Sequence, residues 1–191
     1  MLDVDFPLTG EPLILDLVNT RPHTAAGPMD LLSTPAGLQA WLGIQAYRLL
    51  TPVPVTAPTE ADLAAVHAVR EHSATAIDHA RRGECPPRAA LHALSSALGD
   101  APAYRELGWD GTAVTSTPRR AGSLGARLAA ELAEAAADLL TNPQTIALVR
   151  ACAAEDCVLL FLPAHPRRRW CSASRCGNRA RVARYYQRHK S

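Results

Sequence analysis

Between Pro163 and Ser191 the chain has no aspartate and no glutamate. The eight arginines and one lysine of that stretch therefore stand at +9, with no local carboxylate to neutralise them. Met1 to Leu162 carries eleven arginines against eighteen acids, a balance of −7, so the formal charge of +2 hides a strong asymmetry. A basic segment of this kind is the electrostatic footprint of a polyanion binder. Long apolar runs are lacking too. None reaches fifteen residues, which excludes a membrane-spanning helix. The first six residues hold two aspartates and no basic residue, so no export signal is expected and the chain is assigned to the cytoplasm. Also missing are a glycine-rich phosphate loop, a His-Glu-x-x-His pair, and a serine or cysteine nucleophile with an evident base. No enzymatic activity is expected.

What is present is concentrated in cysteine. Cys152 and Cys157 form one Cys-x4-Cys pair, Cys171 and Cys176 form another, and thirteen residues separate them. Four soft ligands in two local pairs suit tetrahedral zinc at low loop-closure cost. The competing readings are two disulfides or four unrelated buried thiols. Disulfides require an oxidising compartment, which the missing export signal does not provide. Cys85 follows Arg81-Arg82-Gly83-Glu84 and has no second cysteine nearby, so it reads as a free thiol. His165 and His189 are not needed as ligands once four thiolates complete the shell.

The surrounding residues predict a small zinc architecture. Val158 to Leu162 reads as a buried strand, Pro163 and Pro166 bracket a turn, and Arg167 to Trp170 returns as a second strand. A helix is expected from about Ala180 to His189. Knuckle, hairpin, second pair and helix are the order of a treble-clef-like finger, with the last thiolate near the helix N-terminus. Cys152-x4-Cys157, Arg168-Arg169-Trp170-Cys171-Ser172 and Cys176-Gly177-Asn178-Arg179 together resemble the CGNR zinc finger. Leu13-Ile14-Leu15-Asp16-Leu17-Val18-Asn19-Thr20, with Trp41 after it, is similar to the ABATE domain that precedes such fingers in bacterial proteins. The resemblance implies DNA binding by the finger and a role in stress-induced transcription regulation.

Charge supports the same reading independently. At about 100° per residue, Arg181, Arg184 and Arg188 fall within roughly 60° of one another on the last helix. Val182, Tyr185 and Tyr186 gather on the other side and are expected to pack against the hairpin and knuckle. The candidate nucleic-acid contacts are Arg167, Arg168, Arg169, Arg175, Arg181, Arg184, Arg188 and Lys190. If residues 167–169 lie on a strand their faces alternate, so at least one is expected to turn inward. Arg179, next to the last ligand, is expected to hold structure by donating to a carbonyl or to Asp156, and Asn178 to cap the helix or bond a thiolate. Trp170 is expected in the hairpin core.

Residues 1–150 read as a helical domain and 151–191 as the finger, a mainly α (α+β) chain with a small β component. Thr34-Pro35 opens one helix with Leu38, Trp41, Leu42 and Leu49 on its apolar stripe, and Thr59 to Asp62 opens a second that ends near Gly83. Pro86-Pro87 starts a third, running to about Leu98. Ser123 to Leu140 is the most regular, with Leu124, Leu128, Leu132 and Leu139 at helical spacing. After Asn142-Pro143 a last helix is expected to reach Arg150. Gly108-Trp109-Asp110-Gly111 reads as the turn of a hairpin joining Tyr104 to Leu107 with Thr112 to Thr115. Leu13 to Val18 fits a buried strand or the first turns of a helix.

Asp16, Asn19 and Thr20 are candidate ligand-binding residues; the alternative is a strand edge and a turn. The favoured function is a DNA-binding regulator that dimerises through its N-terminal domain. A zinc-stabilised protein-interaction module and a ligand sensor with a pocket in the N-terminal domain are the alternatives. No effector can be named from these residues.

Overall fold

Capping residues set where the helices begin. The chain starts with α1 (Leu13–Val18) and a minimal hairpin, β1 (His23–Thr24) with β2 (Gly27–Pro28). Thr34 then caps α2 (Pro35–Gln45) by accepting from the Gly37 amide at 3.2 Å, with Pro35 at the first helical position. A Cβ on Gly37 would stand 2.4 Å from the Leu31 carbonyl oxygen, so the close approach there requires glycine. A 3₁₀ turn at Ala46–Arg48 ends α2 before Leu49, which takes that leucine out of the helix. There follow α3 (Glu60–Ala80), α4 (Arg88–Asp100), the hairpin β3 (Ala103–Trp109) and β4 (Val114–Arg120), and α5 (Leu124–Leu140). The description covers residue 6, residues 10–24 and residues 27–189 of the computed structural model, with the side chains of residues 183, 184, 187 and 188 left aside.

One carboxylate organises two helix starts. Thr59 and Asp62 form a reciprocal capping box at the head of α3, and the other Asp62 oxygen accepts from the Gly125 amide at 2.6 Å. Gly125 lies so close to α3 that a Cβ would meet the Asp62 Cα at 2.8 Å. α3, α4 and α5 thus pack as a three-helix layer, and α1 and α2 close its other side. The core runs through Ile14, Leu17, Leu38, Trp41, Val66, Ile77, Leu128 and Leu132. α1 has only six residues, but Ile14, Leu15 and Leu17 are fully buried, which settles the helix-or-strand alternative in favour of helix.

Three expectations change in detail. The hairpin is longer than predicted, with Ala103 opposite Arg120 and Trp109 opposite Val114. The helix after Asn142 stops at once: α6 (Pro143–Ile146) is four residues long. The chain then enters β5 (Arg150–Ala151), which pairs antiparallel with β6 (Leu160–Phe161). The finger hairpin is therefore 150–161, and Arg167 to Trp170 forms no strand. Those residues lie alongside instead, through the Ala153 amide donating to the Arg169 carbonyl at 2.9 Å. A π turn at Ala173–Gly177 leads into α7 (Asn178–Arg188). No described helix is long and apolar enough to cross a membrane.

Arg70, 1 % exposed, is the largest buried cation. It donates to both Asp30 oxygens at 2.7 and 2.6 Å and to the Thr20 hydroxyl at 2.9 Å. Burial pushes the Asp30 carboxyl up, but Arg70, Arg21 and the Leu32 amide outweigh it and hold the group well below the usual carboxylate range. A depressed carboxyl contributes stability above its unfolded pKa of about 3.9, and that stability is lost as pH falls through the folded value. Replacing Asp30 with Ala leaves the Arg70 guanidinium buried and unpaired, at a cost of about 3 kcal/mol at neutral pH. Urea melts should show that deficit at pH 7 and a shrinking difference from the wild type below about pH 4.

Candidate metal centre and basic helix

The two cysteine pairs are presented by two different turns. Cys152 follows β5, and Cys157 closes a turn in which its amide donates to the Ala154 carbonyl at 3.2 Å. Asp156 sits at the corner with φ 61°, a left-handed conformation that aspartate tolerates better than most residues. Cys171 precedes the π turn and Cys176 lies within it; there the Gly177 amide reaches the Ser172 carbonyl at 2.9 Å and Ser172 Oγ accepts from the Arg175 amide at 3.3 Å. The widened turn carries Cys176 back over Cys171.

All four Sγ atoms lie within 4.8 Å of one another, with Cys152, Cys171 and Cys176 buried and Cys157 half-buried. None is disulfide-bonded. Metal–sulfur bonds of about 2.3 Å in a tetrahedron imply edges of roughly 3.8 Å. The Cys157–Cys171 and Cys171–Cys176 separations are 3.8 and 3.5 Å, so the donor set fits a tetrahedral metal ion. The hydrogen bond from Cys171 pulls Cys157 down to about 5, the same bond pushes the Cys171 thiol up, and burial raises Cys176. A divalent ion held by these four residues would take them all as thiolates.

Outer donors complete the cluster. The Cys171 amide points at Cys152 Sγ at 3.3 Å, and Arg179 Nη2 at Cys176 Sγ at 3.2 Å. Arg179 thus serves structure, with a ligand sulfur in place of the expected carbonyl or Asp156. Gly177, not Asn178, is the N-cap of α7, and Asn178 is exposed as its first residue. Trp170 packs against the cysteine cluster with Phe161 and Leu159.

Asp16, Asn19 and Thr20 are brought together, but not as a ligand pocket: all three are buried and bonded within the chain. Asn19 Nδ2 donates to the Leu160 carbonyl and its Oδ1 accepts from the Leu160 amide, both at 2.8 Å. Asp16 accepts from Arg48 at 2.6 Å and from the Gly10 amide at 2.8 Å, with burial raising its pKa against those bonds. Thr20 donates to the Leu17 carbonyl at 2.7 Å. The alternative of a structural turn is what these residues serve.

Glu11 extends the junction. It accepts from the Leu162 amide and from Arg168, each at 2.8 Å, and Arg168 also lies 4.4 Å over the Phe161 ring. Arg168 is therefore the inward-turned member of its triplet, a correction to its place among the nucleic-acid contacts. Arg167 and Arg169 are exposed, Arg169 lying 5.7 Å from the Trp170 ring. Arg175 and Arg181 are exposed on the π turn and on α7. The side chains of Arg184 and Arg188, and all of Lys190, lie outside the described residues. Val182, Tyr185 and Tyr186 do not pack on the hairpin: they are 53, 59 and 64 % exposed. α7 leans chiefly on the π turn from which it grows. Glu11 was missed by sequence reasoning, although the acid-rich N-terminal part opposite a basic tail was an available signal; Asn19, expected to meet a ligand, clamps Leu160.

Fold and site define a helical domain that carries a four-cysteine finger module. A family model named ABATE, described as "Putative stress-induced transcription regulator", matches residues 11–143, and the chain belongs to this family. A second model, the CGNR zinc finger, matches residues 149–189. No protein in the curated set matches the chain.

Two outcomes are expected of this site. Asn19→Ala leaves both polar groups of buried Leu160 unpaired, at a cost of about 2–4 kcal/mol in chemical denaturation. Hydrogen exchange should show the Leu160 amide losing protection first. Cys171→Ser should lose the ordered finger while the α3–α4–α5 layer keeps its far-UV dichroism, because metal binding contributes on the order of 10 kcal/mol to folding such modules. Elemental analysis should return one metal ion per wild-type chain; intact finger NMR signals in the variant would count against the centre.

Proposed function

We propose that the chain is a cytoplasmic transcription regulator that binds DNA through a zinc-stabilised finger, as a homodimer built by its N-terminal domain. The observation that carries the reading is α7. It projects from the four-cysteine cluster with Arg181, Tyr185 and Tyr186 exposed, in a segment with nine basic residues and no acid. A helix of this kind suits the major groove or the phosphate backbone, and exposed tyrosines offer apolar contact to sugars and bases. Arg167, Arg169 and Arg175, with Arg184, Arg188 and Lys190 by their sequence positions, extend the basic surface. Zinc is the ion that four thiolates at this spacing favour. Its task is structural, since a closed thiolate shell leaves no position for an activated water, and the reading assigns no catalysis. One small finger reads few base edges, so two half-sites from a dimer supply specificity.

Fluorescence anisotropy with a labelled duplex across a salt series tests this. Four or five phosphate contacts give a log–log slope of about −4. Combined charge reversal at Arg181, Arg184 and Arg188 should abolish binding. Affinity that ignores salt, or no affinity at all, defeats the reading. A second reading, docking of an acidic protein, draws on the exposed apolar side of α7 and the cleft of about 820 Å³ beside it, lined by Met29, Leu159 and Val182. The same charge reversal would then remove a protein partner with no change toward DNA.

A further inference from the structure

The β3–β4 hairpin is an arm held to the body at its root, where Arg120 pairs with Glu134 on α5 and donates to the Ala101 carbonyl at 2.8 Å. Among the described residues its strands pair only with each other, and every residue of β3 is exposed. A two-stranded hairpin alone is marginal in water. The register puts Leu107, Trp109 and Val114 on one face near the tip, and they are 71, 66 and 70 % exposed. Seven residues per strand carry that tip about 23 Å from the root. Exposed apolar side chains concentrated at the end of such an arm mark a contact surface.

The complementary surface lies at the arm's own root. A groove of about 750 Å³ runs between α3, α4 and α5, and it includes Asp100 and Ser123, which flank the hairpin. Its walls are made of small side chains such as Ala61, Ala65, Ala68, Ala93 and Ala97. Large apolar groups without a seat thus stand on the same molecule as a hollow lined by methyl groups. Charge agrees: Asp62 is spent on its two helix starts, but Asp100 is an exposed carboxylate in the groove's lining, and Arg105, on the arm face with Leu107 and Trp109, has no carboxylate partner among the described residues.

We infer that the groove receives the arm of a second copy of this chain, in a reciprocal two-fold exchange. Two arms laid side by side and antiparallel put each tip on the other's root, where the groove is. The edge that pairs is β3, because Pro118 leaves β4 one donor short. Both elements lie on one surface of one chain and match each other, which is the condition for an isologous dimer. One face of the fourteen strand residues with the sixteen groove residues gives each copy the 20–30 residues of a stable interface. The inference rests on the dimer part of the functional reading but not on what the finger binds.

Light scattering on the full chain tests it without nucleic acid. The wild type should elute at twice the 20.4 kDa chain mass. Trp109→Ser, which blunts the arm, and Ala97→Trp, which fills the groove, should each give monomer with unchanged helical dichroism. Mixing the two variants should recover dimer, because one intact arm then meets one intact groove; this also shows that both are folded. A monomeric wild type, including one whose arm is covered by a different protein, overturns the inference. So does a dimer that survives either substitution, or a mixture of the two monomers that stays monomeric.

Discussion

The strand that leaves the metal knuckle is too short to satisfy its own backbone. β6 pairs with two residues of β5 on one side, and its other side faces the interior, where every unmet amide or carbonyl is costly. Side chains from the chain's N-terminal segment meet that demand: Asn19 copies a strand edge against Leu160, and Glu11 takes the Leu162 amide. Leu160 belongs to the main apolar core as a result, while Phe161, its neighbour, belongs to the cysteine cluster. Two residues in sequence thus join two cores. The finger is an outgrowth of the helical body, not a bead on a tether.

Electrostatics follows the same division. The positive tail meets the acidic body where Arg168 enters the junction and pairs with Glu11. Arg179 is spent on a ligand sulfur. Arg167, Arg169 and Arg181 are exposed, and the tail itself holds no acid to neutralise them. Elsewhere in the body arginine is used inwardly, as at Arg70 and Arg48, so the abundance of this residue alone says little about its use.

Much of this could be read from residues in order. The caps at Thr34, Thr59 and Ser123 and the spacing of Leu128, Leu132 and Leu139 are local signals, and the helices they open are present. Four cysteines in two equal pairs cluster because short loops leave them little else to do. What failed was non-local. Nothing within residues 158–170 says that β6 would pair backwards with Arg150–Ala151 instead of forwards. Asp16, Asn19 and Thr20 have the composition of a polar pocket, and partners remote in sequence turn them into fasteners: Arg48 for Asp16, Arg70 for Thr20, and for Asn19 a residue 141 positions away. The exposure of Tyr185 and Tyr186 was hidden for the same reason. Amphipathic spacing tells which residues share a side of a helix but not whether a neighbour is there to cover it.

The π turn that follows Cys171 and carries Cys176 sets a phase. Each residue added to or removed from it would rotate everything downstream by about 100° relative to the metal cluster. Spacing within the second cysteine pair therefore does more than satisfy a ligand angle: it works like the index mark on a dial, fixing which flank of α7 is turned outward. A relative with one residue fewer between these cysteines could keep its ion and its helix and still aim a different set of side chains at whatever it meets.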